Sequence, residues 1–195
     1  MSMKRVTLLG DSIRMGYQDS VRLELSEFAE VWAPEGNGMH SVHHLFNLAW
    51  YLEQPADVIH FNFGLWDSRR LDRGEEVNAV PVELFIRNLD FILGKVRAST
   101  DATLIWATIT PILPERYNNR LTKPYNPHRE FADSSWYNAA ALPILTKHGV
   151  RINDLYNYVL ENGTEHLICS DGVHFTEEGY KLLGMRVASI IRRVL

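Results

Sequence analysis

Five short runs rich in β-branched and apolar residues, at 5–9, 29–33, 58–63, 103–108 and 150–153, alternate with longer stretches whose apolar residues recur at helical spacing. That alternation belongs to an α/β architecture, in which a parallel sheet carries helices on both faces. Helices are expected at 17–26, 41–53, 82–98, 134–148 and 177–194. Thr176 stands where an N-cap of the last helix belongs, and Arg192 and Arg193 lie at its negative end. With 195 residues of which 46% are hydrophobic, there is apolar material for one well-buried core, so 1–195 is expected to be a single domain.

Two connections, 65–80 and 110–133, are too long for simple turns, and each follows a strand. Loops of that length inside a compact domain usually carry function. In open α/β sheets ligands bind beyond the carboxyl ends of the strands, where both loops emerge. The stretch "TLLGDSIRMGY" brings a third feature to that edge, because the first strand breaks into Gly10-Asp11-Ser12.

Charge narrows the function classes. Lys plus Arg number 20 against 24 Asp plus Glu, and a net charge of -4 gives no reason to expect a nucleic-acid partner. The single cysteine, Cys169, forms no internal disulfide and reads as a small buried hydrophobe near the last loop. The apolar stretch at the amino end is too short for a signal-peptide core, and no segment approaches the roughly 18 apolar residues of a membrane helix. A cytoplasmic chain with no membrane partner is the expectation, and the oligomeric state is left open.

A serine hydroxyl is a poor nucleophile until a base takes its proton, so Ser12 needs a histidine held in one tautomer. The segment "SDGVHFTEEGY" supplies it. Asp171 and His174 are three apart just ahead of a helix, where a turn lets the carboxylate accept Nδ1–H while Nε2 faces the serine.

Gly10-Asp11-Ser12 near one end and Asp171-x-x-His174 near the other resemble, in order and spacing, the SGNH hydrolases, also called the GDSL esterase/lipase family. The resemblance covers essentially the whole chain. It implies a three-layer α/β/α sandwich, flavodoxin-like, with a five-stranded parallel sheet. It also implies ester hydrolysis through an acyl-enzyme by Ser12, His174 and Asp171, with no metal and no cofactor. Its oxyanion hole takes the backbone N–H of Ser12 and of a glycine, for which "PEGNGMHS" makes Gly38 the first candidate and Gly36 the second. The third block departs from the family pattern: Gly64-Leu65-Trp66-Asp67 stands where Gly-x-Asn-Asp is usual. One lost oxyanion donor costs roughly 10²- to 10³-fold in rate. Asn62, with the same strand parity as Gly64, is the expected substitute, and the Trp66 indole N–H is the alternative.

The long loops carry Arg69, Arg70 and Arg73, then Arg116, Tyr117, Arg120, Lys123, Tyr125, His128 and Arg129. Aromatic faces and guanidinium groups at a pocket rim suit a polar, ring-shaped or acidic substrate such as an acylated sugar. Trp66, Arg69, Tyr117 and Arg120 are the candidate substrate contacts. The competing reading is that exposed loops are polar anyway and that these arginines pair with Glu75, Glu76, Glu115 or Glu130. Neither loop has the continuous apolar stretch of a lipase lid. His40 and His44 are four apart without an acidic neighbour to complete a metal site, so a solvated helix start is expected there. His60 is expected to pack within its strand. Small carboxylic esters, O-acetyl groups on a carbohydrate foremost, are therefore the expected substrates. The same triad would serve an acyltransferase or thioesterase, and Trp66 leaves open a sugar-binding chain that has lost catalysis.

Overall fold

The computed structural model describes residues 3–72, 77–123 and 126–195. Five strands, β1 (Lys4–Gly10), β2 (Ala29–Trp32), β3 (Val58–Asn62), β4 (Thr103–Ala107) and β5 (Arg151–Asn153), form one all-parallel sheet in the order β2-β1-β3-β4-β5. Every residue of β3 and the last five of β1 are buried, as strands covered on both faces must be. The helices are α1 (Ser12–Leu25), α2 (Ser41–Leu52), α3 (Val82–Ser99), α4 (Pro114–Asn118), α5 (Phe131–Lys147), α6 (Leu155–Asn162), α7 (Thr164–Leu167) and α8 (Glu177–Arg192). Right-handed crossovers put α1 with α8 on one face and α2, α3 and α5 on the other.

The chain steps from β1 to β2 in one direction and then crosses back to β3. The carboxyl ends of β1 and β3 therefore flank the point where strand order reverses, which is the ligand position of such sheets. Packing locks the two layers near this edge. A Cβ on Gly16 of α1 would lie 2.1 Å from the Tyr180 ring of α8, so only a hydrogen fits between the helix that starts at Ser12 and the helix that follows His174.

Several expectations are corrected. Helix α1 begins at Ser12, five residues early, because the Asp11 carboxylate accepts the Ile13 N–H at 2.9 Å and caps the first turn. Helix α5 starts at Phe131, α4 lies within the expected 110–133 loop, and α6 and α7 lie where no element was expected; all three are too short to display a clear helical period. His44 is buried and stacks on Phe63 with ring centroids 4.1 Å apart, because its face of α2 turns toward the sheet. His40 caps α2, its Nδ1 accepting the His43 N–H at 3.1 Å. Cys169 is only half-buried. His60 is buried within β3, and Thr176 caps α8 by accepting the Gly179 N–H at 3.2 Å. Arg73, Glu75, Glu76 and Tyr125 lie outside the described residues.

The two long loops are tied to each other. Arg70 and His128 exchange backbone hydrogen bonds of 3.0 Å, and the Arg70 guanidinium grips Asp133 with two contacts of 2.9 Å. Among the described residues no helix is long and apolar enough to cross a membrane.

Candidate active site

Ser12 is the first residue of α1, immediately beyond the end of β1, so its N–H is one of the helix's unpaired amino-terminal donors. The helix dipole favours negative charge at that point. His174 Nε2 lies 3.0 Å from Ser12 Oγ, and His174 Nδ1 lies 2.6 Å from Asp171 Oδ2. Asp171 builds the turn that presents the imidazole, since its Oδ1 accepts the N–H of Val173 and of His174, each at 2.9 Å. Partial burial pushes the Asp171 carboxyl up, but those two backbone bonds and the imidazole outweigh it and hold the group below its ordinary value. An ionised Asp171 keeps the proton on Nδ1 and leaves Nε2 to accept the Ser12 hydroxyl proton. Gly172 makes the turn possible: its φ is +77°, and a Cβ there would meet the Leu113 carbonyl oxygen at 2.5 Å. The Leu113 N–H donates to Gly172 at 2.8 Å, and the Cys169 N–H to the His174 carbonyl at 2.7 Å.

Asp11, beside the nucleophile, is 1% exposed, and burial pushes its carboxyl to about 7 from an ordinary 3.8. The folded chain then holds this proton more tightly than the unfolded one does. Its contribution to stability is greatest below about pH 4 and is lost as pH rises through about 7. Asp67 acts with the same sign up to about 6, also through burial. Asp11→Asn keeps an oxygen for the cap and removes the titration. Urea unfolding from pH 4 to 8 should show the variant gaining on the parent steadily as pH rises; two parallel curves would count against it.

The predicted oxyanion donors fare differently. Ser12 lines a cavity of about 280 Å³ together with Asp171 and His174. Gly38 does not reach it, because its N–H is committed to the Gly10 carbonyl at 3.0 Å. Gly36 instead supplies its carbonyl to Arg14, at 2.7 Å. Asn62 is buried at the end of β3, its carbonyl accepting the Asp11 N–H at 3.1 Å, and it is not among the residues that line the cavity. Asn37, between the two glycines, is the residue of this loop that lines the cavity with Ser12. Its Oδ1 accepts the Met39 N–H at 2.8 Å, an Asx turn that fixes the loop. Buried Arg14 holds the same loop from α1, donating to Pro34 at 2.9 Å as well as to Gly36. The Asn-Gly pair was the only sequence signal for this turn; nothing local marked Arg14 as its clamp.

All four candidate substrate contacts, Trp66, Arg69, Tyr117 and Arg120, line the cavity, and Arg129 joins them. The turn carrying Trp66 is anchored by Asp67, which accepts the Ser41 N–H at 3.0 Å and the Ser41 hydroxyl at 2.5 Å. Asn88 completes this buried set by donating to the Ser41 hydroxyl at 2.9 Å.

The sequence matches no protein-family model and no curated protein. Solved structures do resemble it. The lipase/acylhydrolase from Enterococcus faecalis superposes with a TM-score of 0.79 at 21% identity, covering 98% of this chain and 96% of that one. The acetyl xylan esterase AlAXEase gives 0.72 at 16% identity, covering 96% and 99%. A member of the lipolytic protein G-D-S-L family from Veillonella parvula gives 0.68 at 16% identity, covering 97% and 99%. Likeness of this extent, at both ends of the chain and through all five strands, identifies the architecture: the chain has the fold of the SGNH, or GDSL, hydrolases.

Proposed function

We propose that the chain is an SGNH-type serine esterase acting on small carboxylic esters, with O-acetyl groups on a carbohydrate as the favoured substrates. The observation that carries this reading is the continuous relay from Ser12 Oγ to His174 to Asp171, at 3.0 and 2.6 Å. Ser12 Oγ attacks the ester carbonyl carbon while His174 Nε2 takes its proton, giving a tetrahedral oxyanion. The Ser12 N–H, at the positive end of α1, and the Asn37 amide of the cavity wall are the donors for that oxygen. Collapse breaks the bond to the alcohol oxygen, which leaves with the proton from His174. Water, deprotonated by the same nitrogen, then attacks the acyl-enzyme; the carboxylic acid leaves and Ser12 regains its proton. Asp171 stays ionised throughout and stabilises the imidazolium.

A cavity of about 280 Å³, small and with both polar and apolar walls, suits a short acyl group better than a long one. The likeness to an acetyl xylan esterase supports the same direction. A series of p-nitrophenyl esters from acetate to octanoate tests it: kcat/KM should be greatest for acetate and fall steeply with chain length, and acetylated xylose should release acetate. Failure to turn over any of these esters would overturn the reading.

A further inference from the structure

The cavity wall is unusually cationic for a chain of net charge -4. Three guanidinium groups, from Arg69, Arg120 and Arg129, line it beside Ser12. Its one lining carboxylate, Asp171, is already occupied by the imidazole and two backbone N–H groups. Among the described residues none of the three arginines forms an ion pair, in contrast to Arg70 with Asp133 and Arg116 with Glu165.

Arg129 is the decisive member. It is only 6% exposed, yet among the described residues its guanidinium has no counter-charge in contact. Its Nη1 donates to the Leu65 carbonyl at 2.6 Å, and its Nε is buried without a partner. The nearest acidic influence is Asp11, which is turned inward to cap α1 and forms no ion pair with it. Removing a guanidinium from water without a compensating anion is strongly unfavourable. The chain nevertheless fixes this one in place: the Asn118 side chain clamps the Arg129 backbone through its carbonyl at 2.8 Å and its N–H at 3.1 Å. The guanidinium carbons of Arg129 and Arg69 lie over rings, 5.2 Å from the Tyr117 centroid and 4.9 Å from that of Trp66. A guanidinium carries five N–H donors, more than the Leu65 and Tyr117 contacts of Arg129 use, and the remaining ones suit a planar or tetrahedral oxyanion.

We infer that the substrate carries its own negative charge next to the scissile ester, a carboxylate, phosphate or sulfate group held by Arg129 with Arg69 and Arg120 at the rim. This rests on the serine-esterase reading and narrows it from acetylated sugars in general to acidic ones, such as an acetylated uronate. The anion completes a site the chain leaves cationic, and it orients the ester carbonyl over Ser12.

Two esters that differ by one charge close to the acetoxy group test the inference: phenyl acetate and 3-acetoxybenzoate. At low salt the carboxylate should be preferred in kcat/KM by tenfold or more, with the preference shrinking as ionic strength rises. Arg129→Gln should reduce the ratio of the two values by roughly 10- to 100-fold. Arg120→Gln, at an exposed position where Nη1 donates only to the Asp171 carbonyl at 3.2 Å, should reduce it less, and Arg129→Lys should restore part of it. Inhibition by inorganic sulfate and by benzoate compares a tetrahedral anion with a carboxylate, and the stronger competitor names the group. Equal turnover of the two esters, or a loss in Arg129→Gln and Arg120→Gln that is the same for both, would overturn the inference while leaving the esterase intact. Sulfate binding is read separately from the thermal midpoint of Ser12→Ala. Arg129-dependent stabilisation by sulfate, together with a parent chain that hydrolyses neither ester, would sink the esterase reading and leave the anion site standing.

Discussion

Ser12→Ala is expected to lower kcat for p-nitrophenyl acetate by roughly 10³- to 10⁶-fold, the loss that follows removal of a triad nucleophile. Alanine suits the first turn of a helix, and the Asp11 cap to the Ile13 N–H does not involve the Ser12 hydroxyl. The thermal midpoint should therefore move by no more than about 2 °C, within the range of a sub-kilocalorie change. A rate within tenfold of the parent would mean that another group attacks the ester.

Asp171→Asn is the second large effect, and it separates orientation from mere contact. An asparagine oxygen still accepts the Val173 and His174 N–H bonds that build the turn, so the loop keeps its shape. The amide group facing Nδ1 is now a donor, which selects the imidazole tautomer with its proton on Nε2, next to Ser12 Oγ. That nitrogen has nothing to accept a proton with. A fall of about 10⁴-fold in kcat is expected, the size seen when a triad aspartate is neutralised in this way. Rates measured from pH 6 to 10 should recover partly as hydroxide substitutes for the lost base, and a loss smaller than tenfold across that range would contradict the role given to Asp171.

How much of this was legible in the sequence depends on the reach of each signal. Ser12, Asp171 and His174 were legible because each sits where a regular element begins or ends, and such boundaries leave local marks. The strands were legible for the same reason as β3, whose burial on both faces makes an unbroken run. Gly38 was misread because a glycine in a loop says only that backbone approaches closely there; the closeness is to the Gly10 carbonyl, not to a ligand. Asn62 was misread because strand parity fixes a face of the sheet but not whether that face opens into a cavity. Arg129 looked like any loop arginine. Its surroundings are set by contacts between distant positions, the Leu65 carbonyl, the Arg70 to His128 pairing and the Asn118 side chain, which have no local signature. Arg14 was equally silent, since an arginine in an amphipathic helix ordinarily faces water.

The most direct test of the central claim is covalent: treatment with a fluorophosphonate followed by peptide mass spectrometry, on the parent chain and on His174→Ala. A hydroxyl activated through the 3.0 Å contact to His174 should be labelled on Ser12 to near completion in the parent, and only slowly in the variant. An unlabelled Ser12, or labelling of equal speed in both chains, would contradict the account.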